Sequence, residues 1–151
     1  MERTNKKLRL CVALLICNTL FIWGNSLLPG SISGAISGWV RDVLSPFFPA
    51  IPGDGHGLLR KLAHFTEFGC LGALLTWLFE MLEKQKLFAL MGAFLVACTD
   101  ETIQRFVPDR GPSFRDVMID TSGAAAGMIL LLVGYAYVKR RKKQAMEDTS
   151  L

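Results

Sequence analysis

Four apolar runs, at about residues 8–28, 58–82, 87–106 and 114–138, set the terms on which this 151-residue chain can fold. Each approaches the roughly 20 residues that a helix needs to cross a hydrocarbon core about 30 Å thick. Inside lipid there is no water to satisfy the backbone, so a spanning segment must close its hydrogen bonds on itself as a helix. The expectation is an all-α membrane protein with four transmembrane helices, in one domain because the length suits one rather than two. Hydrophobic residues make up 51% of the chain and the mean hydropathy is +0.35. Their gathering into long runs, rather than at amphipathic intervals, favours lipid over a soluble core. The basic start before the first run also has the form of a signal peptide, but the run is long and lacks an A-x-A cleavage site, so it reads as an uncleaved span.

The formal net charge is +4, and its placement decides what it means. Arg3, Lys6, Lys7 and Arg9 precede the first run, and Lys139 to Lys143 follow the last, opening a basic tail at 139–151. Both clusters abut apolar segments and no aromatic residues interleave them as a stacking platform, which argues against nucleic acid as a partner. With both termini in the cytoplasm, these clusters join Lys84 and Lys86 inside, leaving Arg41, Arg60, Lys61, Arg105, Arg110 and Arg115 outside. That asymmetry obeys the positive-inside rule and places the chain in the cell membrane as a multi-pass protein. Cys11, Cys17, Cys70 and Cys98 all fall within apolar runs and show no CxxC spacing, so they read as small buried hydrophobes rather than a disulfide or zinc framework.

The extracytoplasmic connection from Pro29 to Gly57 is long for a small bundle. In its first part Ile32, Ile36 and Val40 recur every four residues with Val43 following, which predicts a short interfacial helix; Ser33 and Ser37 are small residues on it. The second part, PAIPGDGHG, reads as a turn-rich return.

Polar residues interrupt the runs at three places. Lys61, His64 and Glu67 open the second, Asp100, Glu101 and Gln104 close the third, and Arg115, Asp116 and Asp120 open the fourth. Antiparallel threading brings all three places to one layer at the outer side. At 100° per residue, Lys61, His64 and Glu67 share a stripe about 120° wide. Ionisable groups in a membrane are costly, so they face the bundle interior and find partners. Asp116 and Asp120 lie one turn apart on a face that continues through Gly123 and Gly127, where GAAAG permits close backbone approach. Ser113 is placed to N-cap the last helix, with Asp116 three residues on as in a capping box.

The blocks KLAHFTEFGCLGALL, ACTDETIQRFVPDRGPSFRDV and MIDTSGAAAG resemble the signature blocks of the VanZ-like membrane proteins. With the serine-containing first loop the resemblance spans nearly the whole chain, through Lys61, His64, Phe65, Asp100, Glu101, Gln104, Arg110, Ser113, Asp116 and Gly123. Glu67 stands where the family commonly has an aromatic residue. The resemblance implies an association with glycopeptide resistance, notably to teicoplanin, in Gram-positive bacteria, and implies no settled reaction.

Three readings of the polar layer follow. In the first, a membrane enzyme uses His64, Asp100, Glu101 and Asp116 as its catalytic groups, while Lys61, Glu67, Gln104, Arg110, Ser113, Arg115 and Asp120 hold a cell-envelope lipid or lipoglycopeptide. In the second, the same residues bind or move an anionic envelope lipid without turnover. In the third, the layer only fixes helix register. No cofactor and no metal ligands are assigned at this stage. A metal-assisted form of the first reading would draw on His64, Glu67, Asp100, Glu101 and Asp116, and one histidine among so many carboxylates favours Mg or Ca over zinc.

Overall fold

The computed structural model describes residues 2–47 and 56–149, so all but the last two residues of the turn-rich return predicted at 49–57 lie outside the described residues, and those two open a helix. The described chain forms α1 (Glu2–Ser26), α2 (Gly30–Leu44), α3 (His56–Met81), α4 (Leu87–Gln104) and α5 (Phe114–Thr149). Four of these are long and apolar enough to cross a membrane, over Thr4–Ser26, Gly57–Met81, Leu87–Gln104 and Phe114–Glu147. The helix in the first connection forms where its apolar recurrence places it. The last helix does not stop at the end of the apolar run: α5 continues through the basic cluster to Thr149, because Lys, Arg, Gln, Ala, Met and Glu all sustain a helix.

The distribution of side chains is inverted relative to a soluble protein. Leu10, Ile16, Leu20, Phe21, Leu95 and Leu130 are exposed, while Asp100, Glu101, Gln104 and Asp120 are buried. Such a surface suits lipid, with the polar groups turned inward where they can find partners. The apolar core joins Ile22 of α1, Phe68 and Leu71 of α3, Ala93 and Ala97 of α4, and Val117 and Ala124 of α5. Ala89, Ala93 and Ala97 recur one turn apart and are fully buried, so α4 presents a smooth face that the other helices approach closely.

α3 and α5 form the most extensive helix pair. Their closeness depends on glycine: a Cβ at Gly123 would land on the carbonyl of Phe65, and one at Gly127 on the carbonyl of Gly69. The antiparallel threading of α1 on α3 is visible in three contacts along their length. Cys11 Sγ donates to Leu74 O at 3.5 Å, Asn18 Nδ2 to Glu67 O at 3.4 Å and Asn25 Nδ2 to Glu67 Oε1 at 2.8 Å. The start of α2 is tied to the connection between α4 and α5, since Gly30 N donates to Pro108 O at 3.0 Å and a Cβ on Gly30 would collide with Asp109. The ends of α1 and α4 and the beginnings of α2, α3 and α5 therefore meet in one layer.

Candidate functional site

His64, in the third turn of α3, sits at the centre of that layer. Its Nδ1 lies 4.0 Å from Asp100 Oδ2 near the end of α4 and 4.0 Å from Asp120 Oδ1 in the second turn of α5. Asp100 is 0% exposed and Asp120 1% exposed. Gln104, one turn beyond Asp100, donates from Nε2 to Asp100 Oδ2 at 2.8 Å and reaches Ser26 Oγ at 3.4 Å, fixing the carboxylate's rotation. Within this trio, His64 Nδ1, Asp100 Oδ1 and Asp120 Oδ2 are each buried without a hydrogen-bond partner. A buried polar atom left unpaired ordinarily costs about 1 to 3 kcal/mol, so three on adjacent side chains mark a place suited to receive a further partner.

The remaining candidates take separate stations around this centre. Lys61 Nζ pairs with Asp116 Oδ1 at 4.0 Å, so Asp116 faces a cation on α3 rather than His64. Ser113 does cap α5, its Oγ accepting from Asp116 N at 3.3 Å. The reciprocal half of the capping box is not made by Asp116, however. Glu101 of α4 supplies it, its Oε2 accepting from Ser113 N at 2.6 Å, because α4 ends directly against the first turn of α5. Glu67 turns toward α1 and holds Asn25. Arg115 is exposed.

Beside His64 lies a cavity of about 160 Å³ beneath α2. Its polar wall carries Asn25, Arg60, His64, Glu67 and Arg110, and its apolar wall Leu28, Ile36, Val40 and Leu59. Arg110 anchors itself by donating from Nη2 to Asn25 O at 3.2 Å, while its Nε and Nη1 are buried and unpartnered. Burial, with Arg60 nearby, lowers the Arg110 guanidinium from its ordinary value. An arginine starts from so high a value that it remains a cation at neutral pH. Glu67 Oε2 is likewise unpaired. The cavity lining thus carries unsatisfied donors, an unsatisfied acceptor and several apolar side chains.

Asn25, Ser26 and Arg60 belong to this layer and were not singled out from the sequence as site residues. Asn25 and Ser26 fall there within the first apolar run, and Arg60 is one outer cation among several. The available signal was the antiparallel threading itself, which puts the end of the first run at the depth of the polar layer.

Comparison with curated proteins finds no match, and neither does comparison with solved structures. The family model described as VanZ/LLP1 matches residues 10–135, which takes in α2, α3 and α4, the greater part of α1 and α5, and every member of the polar layer. The chain belongs to the VanZ/LLP1 family.

Proposed function

We propose that this VanZ-like membrane protein receives the anionic headgroup of a cell-envelope lipid or lipoglycopeptide in the cavity beneath α2, at the outer face of the membrane. The observation that carries the reading is the set of buried, unpaired N–H groups on Arg110 beside Arg60, roofed by Ile36 and Val40. A guanidinium fork matches a phosphate or carboxylate with two parallel hydrogen bonds. The apolar roof takes the first carbons of the chain, and Glu67 accepts from a hydroxyl or amine of the headgroup. His64 borders the cavity and its carboxylate partners stand behind it, so this polar trio is in reach of whatever lies there. In this reading the glycopeptide and teicoplanin resistance that the resemblance implies follows from occupying or altering an envelope lipid that such drugs meet at the outer face.

The experiment is mass spectrometry of the lipids that co-purify with the full chain in detergent. Arg110→Ala should lower the retained anionic lipid at least about tenfold, the loss expected when a buried charge-assisted pair worth about 1.5 to 3 kcal/mol disappears. Equal retention by wild type and Arg110→Ala removes the proposal. Incubation of the same preparation with polyprenyl phosphate or phospholipid then separates catalysis, which releases product, from stoichiometric binding.

The sidedness has its own test, because it rests on the positive-inside rule, which favours the cytoplasm for the basic clusters at both chain ends. A membrane-impermeant thiol reagent should label Asp109→Cys on intact cells and Lys84→Cys only after permeabilisation. The reverse pattern would place the cavity on the inner face.

A further inference from the structure

We propose that His64, Asp100 and Asp120 bind one divalent transition-metal ion of the manganese-to-zinc class. Each comes from a different helix and offers one ligand atom that lies within 4.8 Å of the other two, and each also carries a buried polar atom with no hydrogen-bond partner. A point equidistant from three donors at these spacings is about 2.5 Å from each. Inward movement of about half an ångström therefore reaches ordinary metal–ligand bond lengths.

Charge argues for a dication. Around the trio, the cations Arg60, Lys61 and Arg110 face the carboxylates Glu67, Glu101 and Asp116, and these balance. The two aspartates of the trio are left over, side by side and nearly fully buried, where like charges repel strongly. One divalent ion neutralises both. Gln104 already orients Asp100 through its Oδ2, the kind of outer hydrogen bond that fixes a metal-ligating carboxylate.

The donor set also selects the ion. Glu67, Glu101 and Asp116 are committed to Asn25, Ser113 and Lys61, which leaves one imidazole nitrogen and two carboxylates. Imidazole suits zinc, iron and nickel, whereas carboxylates alone suit magnesium, calcium and manganese. A mixed set of three fits manganese or zinc, correcting the preference for magnesium or calcium that a larger carboxylate count produced. Next to the trio is a gap of about 10 Å³ lined by Lys61, Gln104 and Asp116, room for about one water as a fourth ligand. Three protein donors with an open fourth position is the arrangement of metal sites that do chemistry rather than only hold structure.

This site does not depend on what fills the larger cavity, and its assay contains no lipid. The full chain, purified in detergent and stripped with a chelator, is offered Zn²⁺ alone or Mn²⁺ alone. Bound metal is counted by plasma mass spectrometry, and affinity is read by calorimetry. One equivalent per chain is expected, with a higher melting temperature on loading. Asp120→Asn and His64→Gln should each bind at least tenfold more weakly, while Asp109→Asn and His56→Gln bind as wild type does. If wild type takes up neither ion, the gap holds water and the proposal fails. It fails equally if Asp120→Asn and His64→Gln load like wild type, or if His56→Gln alone loses the metal. The melting shift of the unmodified chain gives a readout even where a variant does not fold.

Discussion

Gly127→Leu is expected to prevent the bundle from assembling, whereas Gly134→Leu on the same helix should be tolerated. The two positions are two turns apart on α5 and differ only in what they meet. A Cβ at Gly127 has no room because the carbonyl of Gly69 occupies its place, and the obstacle is backbone, which cannot rotate aside as a side chain can. At Gly134 nothing lies within 4 Å. Between helices in lipid there is little hydrophobic drive, so α3 and α5 are held by close van der Waals contact along their glycines. Separating them forfeits those contacts along their length and adds strain of about 3 kcal/mol or more. The same separation pulls His64 on α3 away from Asp120 on α5, so the polar layer comes apart with the packing. Size-exclusion chromatography and thermal melting in detergent provide the measurement. A Gly127→Leu chain that elutes and melts with wild type would show that glycine does not set the distance between α3 and α5.

That dependence on helix rotation explains which parts of the structure the sequence disclosed. The spans were legible because roughly 20 apolar residues in a row have few alternatives in a membrane. Their antiparallel threading put His64, Asp100 and Asp120 at one depth, since depth follows from counting residues along a span. Depth is not azimuth, however. Whether His64 meets Asp116 or Asp120 depends on how α5 is rotated about its axis, and that is fixed by Gly123 and Gly127 seating against α3. The seating turns Asp120 inward to His64, sets Asp116 against Lys61 and leaves Arg115 exposed. The capping of α5 was half legible for a similar reason. Ser113 acts locally, within three residues of its partner, but the acceptor for its N–H arrives from Glu101, twelve residues back on another helix.

The neighbouring carboxylates Asp100 and Glu101, which the sequence treats alike, should respond in opposite ways to removal. Glu101 accepts from Ser113 N at 2.6 Å, so it ties the end of α4 to the first turn of α5. Glu101→Ala leaves that N–H without its acceptor and removes a negative charge from the N-terminus of α5, at a cost of about 2 kcal/mol. Membrane abundance, melting temperature and any resistance phenotype should fall together. Asp100→Asn keeps the shape of the side chain and an oxygen to accept from Gln104 Nε2, and it removes a charge that burial makes unfavourable. Asp100 and Asp120 are two buried carboxylates beside one another, so making one of them neutral relieves their repulsion and is close to neutral for folding, or stabilising. Abundance and metal-free melting should therefore match wild type, while any teicoplanin resistance that the chain confers on a sensitive host under the proposed function is lost. Quantitative immunoblotting of membranes beside inhibitory-concentration measurements separates the two outcomes. Were Asp100→Asn to lose abundance in step with resistance, as Glu101→Ala does, the polar layer would only hold the helices in register, and the chemistry assigned to it would have no support.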